Sequence, residues 1–475
     1  MSTEENKAIC RLILNRMNET GIGYGGIQGI SWSPALEPFI LPRTLGEQLH
    51  SLGEAVFLLY DAVDALYQTD ELIQRFVSYK FPDYLPPLVS SGQLSLFRLD
   101  IVLTRTDEGT YQPVVTEVEV VPGMAGLAHC MQEGYGLQAD LLDRFIEYLA
   151  GRPYIVFVAS HSSVEFSFEQ AVFCQALRER GVNAQMVFDK PIVDVHQKAQ
   201  AEWMLRQDAP AWAKEAWSTN FQDRLNQCGF NQFVSGLDLS SAGSEESLHK
   251  SLLAKAMGGA VVYRLGYFPD YTLPVLQQMF QLRQVKAKVI NPIRFYLENK
   301  AVLGALAFES VRQWIQKREA TALAVLDHGI AETCLLESSI YTMKNLKENQ
   351  KSWVLKNGAW DLDNLSWGSR SLEDGRRYSR ADWYRLLGVK LDLPYPVIAQ
   401  RRLPSAQFDI AYVNREKGDI DLMSGAIARL CIFFLRMEER VMFGGAHITL
   451  RAQRGNIIAV HGALDAVWAP VVFQG

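Results

Sequence analysis

The sequence of 475 residues has no C-x-x-C pair: its six cysteines, Cys10, Cys130, Cys174, Cys228, Cys334 and Cys431, are scattered along the chain. Zinc ribbons and disulfide-held scaffolds both need clustered cysteines, so neither is expected, and these read as buried, reduced thiols. Long hydrophobic runs are missing too. LCIFFL at 430–435 is far short of the roughly 20 apolar residues a membrane span needs. The opening MSTEENK has no apolar leader segment, and a soluble cytoplasmic protein with no membrane partner is expected. Nor does one sign of charge dominate: 47 Lys and Arg stand against 53 Asp and Glu, a net charge of -6. With no basic field to draw in a phosphate backbone, nucleic-acid binding is not expected.

Several common catalytic signatures are absent. There is no G-x-x-x-x-G-K-[ST] loop, no G-x-G-x-x-G after the apolar strand at 154–160, and no G-x-S-x-G elbow. The eight histidines form no H-x-x-x-H or H-E-x-x-H pair, which argues against a zinc hydrolase; His447 and His461 read as core or edge histidines. No internal repeat is evident, which sets aside solenoids and propellers.

What remains is an ordinary globular composition, 48% hydrophobic and 21% charged, on a chain long enough for about three folding units. Residues 44–78 place Leu45, Leu49, Leu52, Val56, Leu59, Ala62, Leu66 and Ile73 near a 3.6 period, which predicts one or two amphipathic helices, ended by Pro82, Pro86 and Pro87. Two alternating strands, 94–104 and 112–121, flank the turn Asp107–Gly109 and predict a hairpin. Strand 152–160, helix 167–180 and strand 183–188 form a βαβ unit, continued by strand 260–264 and helix 273–284. Helices at 299–317 and 330–348, strand 352–356, a helix near 379–388, strand 396–400 and strands around 408–413, 445–451 and 455–461 complete the chain. The Trp-rich stretch within 195–255 is left unordered. The expected units are an N-terminal helical segment 1–92, a hairpin-and-helix segment 93–150, an α/β unit 151–290 and a region 291–475.

The hairpin carries the most chemistry. Arg98 and Asp100 alternate with apolar residues on one strand, and Glu117 and Glu119 alternate with Thr116, Val118 and Val120 on the other. Such a row is either a solvated face or a magnesium site completed by nucleotide phosphates, with an arginine beside it suited to a transferring phosphoryl group. VPGMAGL (121–127) allows close backbone approach. Lys300 opens an apolar helix and Lys356 closes an apolar strand; two such lysines are either solvated or a phosphate clamp. Gln400, ahead of RRLP, ends a strand as a turn or as a base-binding hinge.

Taken in order, these motifs resemble circularly permuted ATP-grasp ligases, most closely the synthetase domain of the glutathionylspermidine synthase family, over about residues 95–475. The matching pieces are Arg98-x-Asp100, Glu117-x-Glu119 with Pro122 and Gly123, Asn299-Lys300-Ala301, Val354-Leu355-Lys356 with Gly368, Ser369 and Arg370, then Gln400 with Leu403 and Pro404, and the C-terminal AHITLRAQRGNIIAVHGALDAVWAPVVF. Glu119 stands where the family has Asn, adding negative charge near the phosphates. The amidase domain of bifunctional members has no counterpart in the first ninety residues.

The resemblance implies an α/β protein with α+β elements, ATP-grasp-like and circularly permuted, with a βαβ pre-ATP-grasp-type domain. It implies ATP and Mg2+ as cofactors and an amide bond formed between a small-molecule carboxylate and an amine through an acylphosphate. Asp100, Glu117 and Glu119 would hold the metal. Arg98 would be catalytic, stabilising charge on the transferred phosphoryl. Lys300 and Lys356 would neutralise phosphates, and Gln400 and Leu403 would line the adenine pocket. A non-catalytic nucleotide-binding protein and a small-molecule kinase are the alternatives, and homo-oligomerisation stays open.

Overall fold

The computed structural model describes residues 33–474 other than 84, 87–91, 139, 153, 161–166, 189–257, 267–270, 272, 283–287, 360–370, 415–416, 439, 454–459 and 461–464, and, earlier in the chain, residues 4, 5, 8 and 10–12. Over these residues the protein is a mixed α/β structure built on three sheets. The Trp-rich stretch, the loop at 366–370, His461 and the strand expected at 455–461 lie outside the described residues.

The helical period of residues 44–78 resolves into helix Arg43–Leu66 and a short helix Glu71–Val77. Leu45, Leu49, Leu52, Val56, Leu59 and Val63 are all buried along one stripe of the first. Asp70 starts the second, its side chain accepting from the Leu72 and Ile73 backbone N–H at 2.9 and 3.3 Å. The same N-terminal segment adds two short strands, Ser33–Pro34 and Phe39–Pro42, which pair in parallel with Val467–Gln474 at the other end of the chain.

That pairing belongs to the largest sheet, of eight strands among the described residues. Its path runs Ser33–Pro34, Val467–Gln474, Arg440–Ala452, Asp419–Met437, Leu96–Arg105 and Tyr111–Glu119, with Gln407–Asn414 and Phe39–Pro42 paired off this path. The expected hairpin forms its edge. The strand Asp419–Met437 is 19 residues long and missing from the sequence reading, which saw only its apolar centre; that centre is buried on both faces and so shows little alternation. A second sheet, antiparallel, holds Glu373–Asp374, Trp353–Asn357, Val397–Arg401 and Thr333–Leu335 in that order. The third is parallel, ordered Ala184–Phe188, Ile155–Ala159, Val261–Leu265, Lys288–Ile290, and contains the expected βαβ unit.

Two long helices expected at 299–317 and 330–348 are broken up. Lys300–Ala307 winds as a tighter 3-10 turn before helix Glu309–Gln316, and strand Thr333–Leu335 precedes helix Ile340–Glu348. The tight turn is packed against that strand: a Cβ on Gly304 would stand 2.5 Å from the Thr333 carbonyl oxygen, so only glycine permits the approach.

Candidate functional site

The two faces of the large sheet differ completely where the hairpin joins it. Phe97, Leu99, Leu430, Ile432 and Phe434 point into the core under helix Arg43–Leu66. The alternate residues Arg98, Asp100, Arg429 and Cys431 point the other way. Cross-strand register sets Arg98 opposite Glu119, Asp100 opposite Glu117, and Cys431 on the far side of Asp100.

The pairing shifts between Asp100 and Ile101, which face Glu117 and Val115, so Thr116 is an extra residue, a β-bulge. The sequence reading put Thr116 on the apolar face. The bulge turns it into the site instead. Its carbonyl accepts from Gln400 Nε2 at 3.0 Å and Lys356 Nζ at 3.4 Å, its hydroxyl donates to the Asp100 carbonyl at 3.1 Å, and Arg429 Nη1 donates to that hydroxyl. One displaced peptide thus ties the large sheet to the small one.

Lys356 and Gln400 come from the small sheet. There Trp353, Leu355, Val397 and Ala399 pack among helices on one face, while Val354, Lys356 and Gln400 face the bulge. Lys356 Nζ donates to Gln400 Oε1 at 3.0 Å, and Gln400 Nε2 also donates to Thr333 Oγ1 at 3.0 Å. Lys300 enters from the 3-10 turn, started by Asn299, whose side chain accepts from the Ala301 N–H. Its Nζ lies 2.6 Å from Glu117 Oε1, both side chains buried. Two residues earlier Glu298 pairs with Arg264 of the parallel sheet at 2.6 Å, fixing the approach of that turn.

Arg98 is held by three groups: Asp100 Oδ1 at 2.9 Å, the Gly123 carbonyl at 3.2 Å and Glu119 Oε1 at 3.9 Å. Cys431 Sγ donates to Asp100 Oδ1 at 3.4 Å. Asn291, at the end of the parallel sheet, anchors the base of the hairpin by accepting from the Ser95 and Leu96 N–H groups at 2.8 and 2.9 Å and donating to the Leu96 and Val120 carbonyls. The loop after the hairpin does permit the close approach expected of VPGMAGL, and the group that approaches is Glu169. Its carboxylate accepts from the N–H groups of Met124, Gly126 and Leu127 at 2.5, 2.8 and 3.2 Å, at the start of helix Ala125–Gly134. Burial pushes its pKa up to about 7 despite those bonds.

Burial raises the cost of every charge in the cluster, and the ion pairs decide which charges survive. Burial would raise Glu117, but Lys300 and Lys356 overcome it and hold this carboxyl below its ordinary value. Glu119 is pushed up to about 8, first by burial and then by Glu117, with Arg98 offsetting only part. Lys300 is held above its ordinary value because Glu117 and Glu119 outweigh its burial. Lys356 goes the other way, down to about 8 by burial. Buried Tyr60, from helix Arg43–Leu66, is raised by burial and by the neighbouring Glu119 and Glu117.

Between the large mixed sheet and the small antiparallel one runs a cleft of about 270 Å³. Its apolar walls include Val102, Val354, Leu403 and Ile427, and its basic residues are Lys356, Arg376, Arg401, Arg402 and Arg429. No carboxylate is among its described lining residues. Gln400 and Leu403 lie at its edge where the chain leaves the small sheet at Arg401 and enters the large one at Gln407.

The structure therefore brings seven expected residues, Arg98, Asp100, Glu117, Glu119, Lys300, Lys356 and Gln400, into one connected region, with Leu403 along the cleft. It does not gather the carboxylates into a preformed cage: no group of three or more His, Cys, Asp or Glu side chains among the described residues could hold a metal ion. Glu117 and Asp100 face basic side chains instead. In donor type the carboxylates still suit a hard divalent ion, which takes one or two carboxylates together with substrate phosphates more often than a full protein cage. The sequence reading missed Thr116, Arg429, Cys431, Tyr60 and Asn291. A bulge and pairings more than a hundred residues apart leave no local signal.

The arrangement is that of a protein with a charged cleft between a large mixed sheet and a small antiparallel one. Its fold is similar to that of the solved structure of a glutathione synthetase like-effector (GSS30) from Globodera pallida in apoform, with 12% identity and a TM-score of 0.52, covering 100% of this chain and 98% of that one. No family model matches the sequence, and no curated protein matches it.

Proposed function

We propose that this chain is an ATP-grasp-like, circularly permuted ligase that uses ATP to join a small-molecule carboxylate to an amine. The observation that supports this most is the cleft between two sheets, with no carboxylate among its described lining residues, which holds Lys356 and Arg429 beside the buried cluster of Arg98, Lys300 and three carboxylates. An apolar slot with cations at its inner end suits a base with a polyphosphate. The likeness to a glutathione synthetase-like fold is consistent with this reading.

In this reading Val102, Val354, Leu403 and Ile427 enclose the base, and Lys356 and Arg429 bind phosphate oxygens. The carboxylate oxygen of the acid attacks the γ-phosphorus, the bond to ADP breaks, and an acylphosphate results. The amine nitrogen then attacks the acyl carbon, and phosphate leaves. Arg98, kept charged by Asp100 and Glu119 and fixed by the Gly123 carbonyl, stabilises the negative charge that develops, without having to reorganise. Magnesium, entering on the triphosphate, would take one or two of the carboxylates Asp100, Glu117 and Glu119 and would neutralise phosphate charge.

A survey of amino acids, other small carboxylic acids and amines for ADP release tests the reading: ADP forms only when both an acid and an amine are present. Phosphate transferred to one substrate alone would make the protein a kinase. Nucleotide binding without turnover would support a non-catalytic member, a reading favoured by the ion pairing of Glu117 and the lack of a three-ligand metal group among the described residues.

A further inference from the structure

Glu169 takes no part in the chemistry above, yet it is buried one peptide away from Arg98. It sits in the first turn of helix Ser167–Glu179 of the parallel-sheet unit, 5% exposed. Its two carboxylate oxygens do different work. Oε2 accepts from the Gly126 and Leu127 N–H groups at 2.8 and 3.2 Å, and these bonds cap the start of helix Ala125–Gly134. Oε1 accepts instead from the Met124 N–H at 2.5 Å, and the carbonyl of that same peptide, on Gly123, accepts from Arg98 Nη1 at 3.2 Å. A peptide is one planar unit, so whatever turns its N–H turns its carbonyl with it. A carboxylate at the N–H end also polarises the unit and makes its carbonyl a stronger acceptor for the guanidinium.

That peptide does not hold its place unaided. Met124 has a φ of 74°, in the left-handed region that a residue with a side chain adopts only where its surroundings impose it. Two groups from the parallel-sheet unit impose it: the Glu169 carboxylate on the Met124 N–H, and Tyr263, whose hydroxyl donates to the Pro122 carbonyl at 2.7 Å. The two helices also touch directly, since a Cβ on Gly126 would stand 1.5 Å from the Glu169 carbonyl oxygen. Arg98 thereby gains a restraint that its own hairpin does not provide. Asp100 and Glu119 lie on the hairpin strands, whereas the Gly123 carbonyl reaches the guanidinium from beyond them. We propose that Glu169, backed by Tyr263, is a positioning residue for Arg98, acting through the Gly123–Met124 peptide. The proposal rests on the ligase reading for what Arg98 does at the transferred phosphoryl, and not for the coupling itself.

Glu169→Gln isolates the coupling. The amide oxygen can keep the bonds to Gly126 and Leu127, but the amide nitrogen then faces the Met124 N–H, and two donors cannot bond. The helix stays capped and the peptide is released. The first readout needs no ligand: hydrogen exchange of the Arg98 side-chain N–H groups, followed by heteronuclear NMR on the full chain, the signals assigned by their absence from Arg98→Lys. Exchange should quicken about tenfold or more in Glu169→Gln, with a melting curve close to that of the wild type, because one charge-assisted bond to the guanidinium is lost. The second readout is ADP release with the acid and amine that support turnover. There kcat should fall about tenfold or more with the KM for ATP unchanged, and Arg98→Lys/Glu169→Gln should be no slower than Arg98→Lys alone. Wild-type exchange at Arg98 in folded Glu169→Gln would overturn the proposal, and so would a double variant slowed by the product of the two single effects. Should Glu169→Gln not fold, Tyr263→Phe frees the Pro122 carbonyl of the same loop, and unchanged Arg98 exchange there would overturn it equally. Turnover with no acid and amine pair, while Arg98 exchange still depends on Glu169, would sink the ligase reading and leave the positioning role standing.

Discussion

The two faces of the large sheet are made from the same strands and differ in every respect that matters. One residue in two, Phe97, Leu99, Leu430, Ile432 and Phe434, builds an apolar layer against a 24-residue helix. The residues between them include Arg98, Asp100, Arg429 and Cys431, which form a charged patch tied to the small sheet through Thr116, and Phe433, which packs in a second apolar cluster. The apolar face tolerates little change of volume and is indifferent to pH; the charged face is balanced pair by pair and is sensitive to both charge and pH. The division follows from strand alternation, and the charged face draws its rigidity from the packing behind it.

The largest effect expected is a loss of stability from the apolar face. Phe434 is fully buried, packs against Phe97 and Phe443, and is approached so closely by Gly53 that a Cβ there would lie 2.5 Å from the ring. Phe434→Ala should destabilise by about 3–5 kcal/mol in urea unfolding. A loss below about 1 kcal/mol would mean that this layer does not carry the fold.

On the charged face, Lys300→Met leaves Glu117 buried beside a missing partner, which costs about 3–5 kcal/mol. Adding Glu117→Gln removes the orphaned charge, so the double variant should recover most of that loss. Non-recovery would show that Lys300 acts through packing and would erase the distinction between the faces.

Much of this contrast was legible in the sequence because it rests on period. The hairpin and the polar row of Arg98 and Asp100 follow from local alternation, and the stripe from Leu45 to Ala62 from the helical period. The role of Thr116 was not legible: a bulge depends on the partner strand, and simple alternation assigns that side chain to the wrong face. The strand 419–437 was lost because burial on both faces erases alternation. The helix expected at 299–317 broke because the Thr333 strand, thirty residues on, packs against Gly304.

Smaller effects concern protons. Folded Glu119 keeps its proton up to about 8, whereas an unfolded glutamate loses it near its ordinary value. The wild type should therefore lose stability as pH rises from about 4.5 to 8, and Glu119→Gln, with no proton to lose, should flatten that part of the profile and melt at a higher temperature than wild type at pH 8. Identical melting profiles from pH 5 to 8 would place Glu119 in water. Lys356, depressed to about 8, should lose its charge above that pH and weaken phosphate binding on the alkaline side, read as a falling affinity between pH 7 and 9.

The central claim, that the charged face and its cleft form a nucleotide site, is tested most directly by titrating a non-hydrolysable ATP analogue with magnesium into the wild type and into Lys356→Met by calorimetry. The account predicts binding by the wild type and an affinity weakened about tenfold or more in the variant, with a native melting curve, because one buried charge-assisted contact to phosphate is removed. No heat and no thermal shift in the wild type at millimolar analogue, or equal affinity in both proteins, would contradict it.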